Sequence, residues 1–182
     1  ELRVRWLVAG LLTLCGALVG ARLGFTLLFH EYFKTALTEI LKIELGGLYW
    51  PGALAGAILF ALLACALLKL PRLIGLDRLS RMLLPLGVAA WMAAWQAGVA
   101  YGHPLQSGTW WGMMALDEAG TSALRAPIQP AAILSLLVLL ILVEVIVRKS
   151  PKPGLTSAVV GLTFIIHTLL FSLMRADPTR VF

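Results

Sequence analysis

Apolar and polar positions divide the chain into five apolar runs, separated by short charged or glycine-bearing stretches. The runs are Trp6–Phe29, Pro51–Leu70, Met82–Tyr101, Ala131–Val147 and Leu155–Met174. Each approaches the ~20 residues that a helix needs to cross a hydrocarbon core. Helices are predicted because lipid offers the backbone no hydrogen-bond partners, so each segment must satisfy its own. No alternation of the kind that marks a membrane barrel is present. Between the first two runs, His30 to Leu45 carries Phe33, Leu37, Ile40, Leu41 and Ile43 with charges between them, a spacing that predicts an amphipathic helix in the membrane interface. The connection Gly102–Pro130 is long and holds Trp110, Trp111, Met113 and Met114. It is apolar enough to dip back into the membrane or to cover a partner, and an interfacial belt explains its tryptophans equally well. The expected fold is all-α: a single polytopic membrane domain over residues 1–182, with about five spans and one interfacial or re-entrant outer segment.

Composition agrees. Of 182 residues, 60% are hydrophobic and 13% charged, against roughly 45–50% and 25% in soluble domains. The net charge of +6 does not point to nucleic acid, because the basic residues flank the runs instead of clustering. Nine of them (Arg3, Arg5, Lys69, Arg72, Arg78, Arg81, Arg148, Lys149, Lys152) fall on one side of the five-span scheme and five (Lys34, Lys42, Arg125, Arg175, Arg180) on the other. Basic residues favour the cytoplasm, which puts the N-terminus inside and the C-terminus outside. Cys15 and Cys65 lie in apolar runs and read as two buried, inert thiols. The chain starts at Glu1 and reads as a trimmed or partial product.

Candidate chemistry gathers around two places. The first is Arg22, which sits in Gly20-Ala21-Arg22-Leu23-Gly24, about two turns before the outer end of the first run. An unpaired charge at such depth costs roughly 2.5 kcal/mol or more. A guanidinium there can hold a lipid phosphate through parallel hydrogen bonds, or it can be tied down by a carboxylate or by backbone carbonyls. The second is Gly46 to Gly56, GGLYWPGALAG. Glycine permits close approach, Pro51 suits a first helical turn, and Tyr49 and Trp50 suit the headgroup level. The stretch reads as an interfacial turn that feeds either a small-residue packing face or a headgroup site. Elsewhere, Glu144 is spaced for an i,i+4 pair with Arg148. His167 reads as a mid-run packing residue, Gln96 as helix–helix glue, and His103 has no acidic neighbour in sequence. No metal, catalytic-triad, P-loop or dinucleotide pattern is present.

Taken in order, several segments resemble the prolipoprotein diacylglyceryl transferase family, bacterial membrane enzymes that move a diacylglyceryl group from phosphatidylglycerol to a lipobox cysteine. The resembling segments are Ala21-Arg22-Leu23-Gly24-Phe25, Gly46 to Gly56, Trp95-Gln96-Ala97-Gly98 followed by Gly102, Trp111-Gly112, Ala126-Pro127-Ile128-Gln129, Arg148-Lys149 with Pro153-Gly154, and Arg175-Ala176-Asp177-Pro178. Relative to the family's usual seven spans, this chain would lack the first and the last. Pro51 stands where the family has a histidine, Trp95 for the signature arginine and Gly98 for its asparagine. Thr168 takes the place of a late intramembrane arginine, and Pro130-Ala131-Ala132 replaces a segment with Tyr and Glu.

The resemblance implies a bacterial inner-membrane protein concerned with lipoprotein biosynthesis. Its departures imply that catalysis is lost, since Pro, Trp, Gly and Thr do not supply the proton transfer and cationic help that the transfer needs. The expectation is a phospholipid-binding accessory subunit of a larger membrane complex, with lipids and other membrane chains as partners. No cofactor or metal is expected beyond bound phospholipid. Candidate lipid contacts are Arg22, Gly46, Gly47, Tyr49, Trp50, Gly52, Gln129 and Arg175. An active transferase that uses His103 or His167 in place of the missing histidine is the alternative.

Overall fold

A computed structural model describes residues 1–43, 46–116, 120–148 and 152–176. The expectations that touch Glu44, Leu45, Asp117, Glu118, Lys149, Ser150, Asp177, Pro178 and Arg180 lie outside the described residues. Among the described residues, four helices are long and apolar enough to cross a membrane: α1 (Leu2–Leu28), α3 (Trp50–Leu67), α6 (Ile128–Arg148) and α7 (Leu155–Leu173). The chain is a multi-pass helical membrane protein. It separates into two compact units, one of residues 1–79 and one that begins at Ser80.

In the first unit, α1 and α3 run antiparallel in close contact. Gly16, Gly20 and Gly24 recur every four residues on α1 and oppose Phe60, Gly56 and Gly52 on α3. The absence of side chains brings backbone against backbone, the usual way for membrane helices to gain van der Waals contact where lipid removes the hydrophobic driving force. Below this seam a small core gathers Ala9, Ala61, Ala64, Cys65, Leu70 and Leu79. The connection between the second and third runs is largely a helix, α4 (Arg72–Ser80). Its Arg78 lies over the Trp6 ring, 4.5 Å from the centroid. Cys65 is buried as expected, but Cys15 is exposed on the outward face of α1.

The amphipathic helix expected over His30–Leu45 is broken. Among the described residues, α2 (His30–Phe33) and a 3-10 turn, Leu37–Leu41, form in place of one continuous helix. Phe33 is buried, whereas Leu37 and Leu41 are exposed. Carbonyls at positions 39, 40 and 42 accept from Arg22, and that of Glu39 also accepts from Lys42 N–H at 3.1 Å, so Arg22 competes with a regular helical ladder over this stretch.

In the second unit, α5 (Leu83–Gln96), α6 and α7 pack around Leu84, Trp91, Ile128, Ala132, Leu136 and Val160. α5 has 14 residues, about 21 Å of helix against a ~30 Å core, so the third expected run is not among the helices long enough to cross by length alone. Gly98 stops it. With φ +67, Gly98 closes a Schellman turn in which Val99 N–H donates to Ala94 O at 3.0 Å and Gly98 N–H to Trp95 O at 3.1 Å. Gln96, expected to join helices, is exposed. The connection after α5 holds an unexpected antiparallel hairpin, β1 (Met113–Leu116) with β2 (Ser122–Arg125), in which Met113 faces Arg125. Glu144 pairs with Arg148 at 3.2 Å as the spacing predicted.

Candidate functional site

Arg22 organises the end of the first unit. It is 7% exposed, and its five N–H groups meet five backbone carbonyls. Nε donates to Ile40 O at 2.7 Å. Nη1 donates to Gly46 O at 2.6 Å and Gly47 O at 3.1 Å. Nη2 donates to Glu39 O and to Lys42 O at 3.1 Å. A guanidinium has five donors in a planar fork, so this set is complete. Gly46 and Gly47 reach it with φ of +80 and +76, the left-handed region that glycine enters without strain. Phe25 and Phe33 flank the cation, with ring centroids 5.8 and 5.4 Å from Cζ.

Beside the guanidinium lies a half-open cavity of about 150 Å³, walled by Arg22, Phe25, Tyr32, Phe33, Glu39, Gly46 and Gly47. Tyr32 Oη donates to Glu39 Oε2 at 2.5 Å. That bond, and the carboxylate charge behind it, push the Tyr32 phenol above its usual range. The phenol is the donor of this pair and the Glu39 carboxylate its acceptor.

The remaining residues of the Gly46–Gly56 stretch hold the fold. Tyr49 N–H donates to Ala21 O at 3.1 Å, and the Tyr49 ring lies against Gly24. Trp50 and Pro51 open α3. Gly52 is pressed against Gly20 and Gly24, with no room for a headgroup on that face.

The second unit holds the other sequence candidates. Gln129 is 2% exposed and donates from Nε2 to Val99 O at 2.9 Å, so it joins α6 to the turn after α5. Arg175 is half-buried and pairs with Gly102 in an isolated antiparallel bridge, and Pro104 pairs likewise with Arg125. His103, between those bridges, is exposed, and its carbonyl accepts from Ala126 N–H at 3.0 Å. His167 is buried between Ser135, at 2.8 Å from Nε2, and the stacked ring of Phe171.

Arg125 was counted in the sequence only as a loop charge. It is 8% exposed, with its Cζ 4.6 Å from the Tyr101 ring centroid. Its signal lay in position alone: a cation six residues before the run that begins at Ala131, with an aromatic residue, Tyr101, at the end of the preceding run. The Tyr32–Glu39 pair was equally hidden, because a seven-residue separation suggests no contact on a continuous helix.

The family model for prolipoprotein diacylglyceryl transferase matches residues 6–178. The chain belongs to the prolipoprotein diacylglyceryl transferase family. No curated protein matches it. The family match covers both units, so the resemblance seen in separate short segments extends over nearly the whole chain. Within the family frame, Pro51 sits in the first turn of α3, Gly98 is a helix stop, and Thr168 is buried beside His167.

Proposed function

We propose that this chain is a catalytically degenerate member of the transferase family that binds phospholipid and packs as an accessory subunit of a larger complex in a bacterial inner membrane. The excess of basic residues on one side of the spans supports a cytoplasmic N-terminus and an outer C-terminus. The observation that carries the reading is the saturation of Arg22. The cation best placed for a phosphate has every N–H directed at a backbone carbonyl. It fixes the fold and has no donor left for a departing phosphate.

The histidines support the same reading. His103 is on the surface, and His167 is closed in by Ser135 and Phe171. Phospholipid contact is supported instead by the long exposed apolar flanks of the helices, such as Leu134, Val138 and Ile141 on α6, and by the small cavity with its aromatic walls. A second reading, active transfer, is favoured by one observation only: the Tyr32–Glu39 couple on that cavity wall.

Native mass spectrometry of the chain purified in mild detergent tests the binding reading. We expect retained phospholipid and untagged membrane chains that copurify. A chain that emerges alone removes the accessory role, and one that emerges free of lipid removes phospholipid binding.

A further inference from the structure

The hairpin ahead of α6 presents a face on which Met114 and Leu116 stand exposed, with Leu124 half-buried beside them. Direct pairing places Met114, Leu116, Ser122 and Leu124 on one side of the ribbon, with Met113, Ala115, Ala123 and Arg125 on the other. The second side turns inward, where Arg125 is buried. On the first side Met114 is 62% exposed and Leu116 58%. Just before β1, Trp110 is 92% exposed and Trp111 47%. Isolated apolar residues on a surface need no account, but four large ones within seven positions mark a surface made for contact.

Position identifies the occupant. β2 ends at Arg125 and the span α6 begins at Ile128. Three residues reach at most ~10 Å, so the base of the hairpin cannot leave the end of that span. The polar layer on each side of the hydrocarbon is itself ~5–8 Å deep. The hairpin is thus held at headgroup height, where tryptophan, apolar in its body and polar at its N–H, is enriched. A two-stranded ribbon is also marginal in water without a surface to lie on. α6 continues with Leu134, Leu137, Val138 and Ile141 exposed, so an apolar lipid-facing flank starts two turns from the hairpin.

We propose that β1 and β2, with the preceding Trp110 and Trp111, form an interfacial anchor, laid on the bilayer surface with Trp110, Trp111, Met114 and Leu116 at the boundary between headgroups and acyl chains. It holds the N-terminal end of α6 at a fixed depth. This inference is independent of whether the chain catalyses anything.

Site-directed spin labelling tests it. The intact chain, with Cys15 and Cys65 replaced by serine, receives one label through Met114→Cys and, separately, one through Ser107→Cys. Each is reconstituted into vesicles of phosphatidylcholine with phosphatidylglycerol. The label at position 114 is expected to collide several-fold more with oxygen, which partitions into lipid, than with a water-soluble nickel chelate, and the label at position 107 to show the reverse. A nickel accessibility at 114 equal to that at 107 overturns the proposal, because the face is then in water. A label at 114 that is immobilised and shielded from both reagents also overturns it, and assigns the face to a protein partner. Trp110→Ser combined with Trp111→Ser should raise nickel access at 114 if the tryptophans hold the depth, while the label at 107 stays unchanged.

Discussion

Replacing Gly20 by leucine is expected to prise α1 away from α3 and to lower the stability of the first unit by about 3 kcal/mol or more, the upper end of the range for overpacking. A Cβ at this position meets the Gly52 carbonyl and lies 2.8 Å from Gly56 Cα. Both neighbours are backbone, so no rotamer change relieves the clash. The loss is expected to be larger than for most core substitutions, because the atoms that face Gly20 belong to the Gly52 and Gly56 backbone and cannot repack. Gly161→Leu is the control: on α7 an added Cβ meets nothing within 4 Å, and the change should fall within about 0.5 kcal/mol of neutral. Thermal unfolding of both variants in one detergent reads the difference. Equal midpoints would mean that the glycine seam does not bear the packing.

The second large effect is expected at Arg22. Arg22→Leu removes a cation that binds carbonyls at positions 39, 40, 42, 46 and 47. Hydrogen bonds to a charged group contribute ~1.5–3 kcal/mol each when buried. Much of this segment borders solvent and can rehydrate once freed, so the net loss should be about 3 kcal/mol rather than the sum. The damage should be local first, with faster amide exchange and proteolysis over residues 34–47 and little change over α6 and α7. Arg22→Lys should recover only part of the protection, because an ammonium offers three donors without the planar fork. If Arg22→Leu left exchange over 34–47 unchanged, the guanidinium would not be what shapes that segment.

The spans were legible because the signal that defines them, a long apolar run, is the same one that lipid requires. Four of five runs became candidate spans. The exception, α5, failed at Gly98, a glycine whose left-handed turn stops a helix whatever the apolarity of Val99, Ala100 and Tyr101 beyond it. The amphipathic pattern over 30–45 misled for a different reason: hydrophobic spacing reports which face a helix would bury and cannot report a competitor for its carbonyls. That competitor, Arg22, was itself legible as the one intramembrane cation. Its partners were one of the alternatives weighed, but which alternative holds depends on a chain reversal at Gly46–Gly47 that brings carbonyls 17 to 25 residues away onto one guanidinium. The hairpin was missed because Met113–Leu116 and Ser122–Arg125 do not alternate apolar with polar. Both of its faces are apolar at most positions, as suits a ribbon between a protein core and a membrane interface.

The proposed function is a family scaffold without the family's chemistry, and one assay addresses that directly. Purified chain is incubated with phosphatidylglycerol and a lipobox peptide, and the peptide is weighed by mass spectrometry. The expected result is no diacylglyceryl thioether above the protein-free control. Turnover well above that control, abolished by His103→Ala, His167→Ala or Glu39→Gln, would contradict the account and make the chain an active transferase.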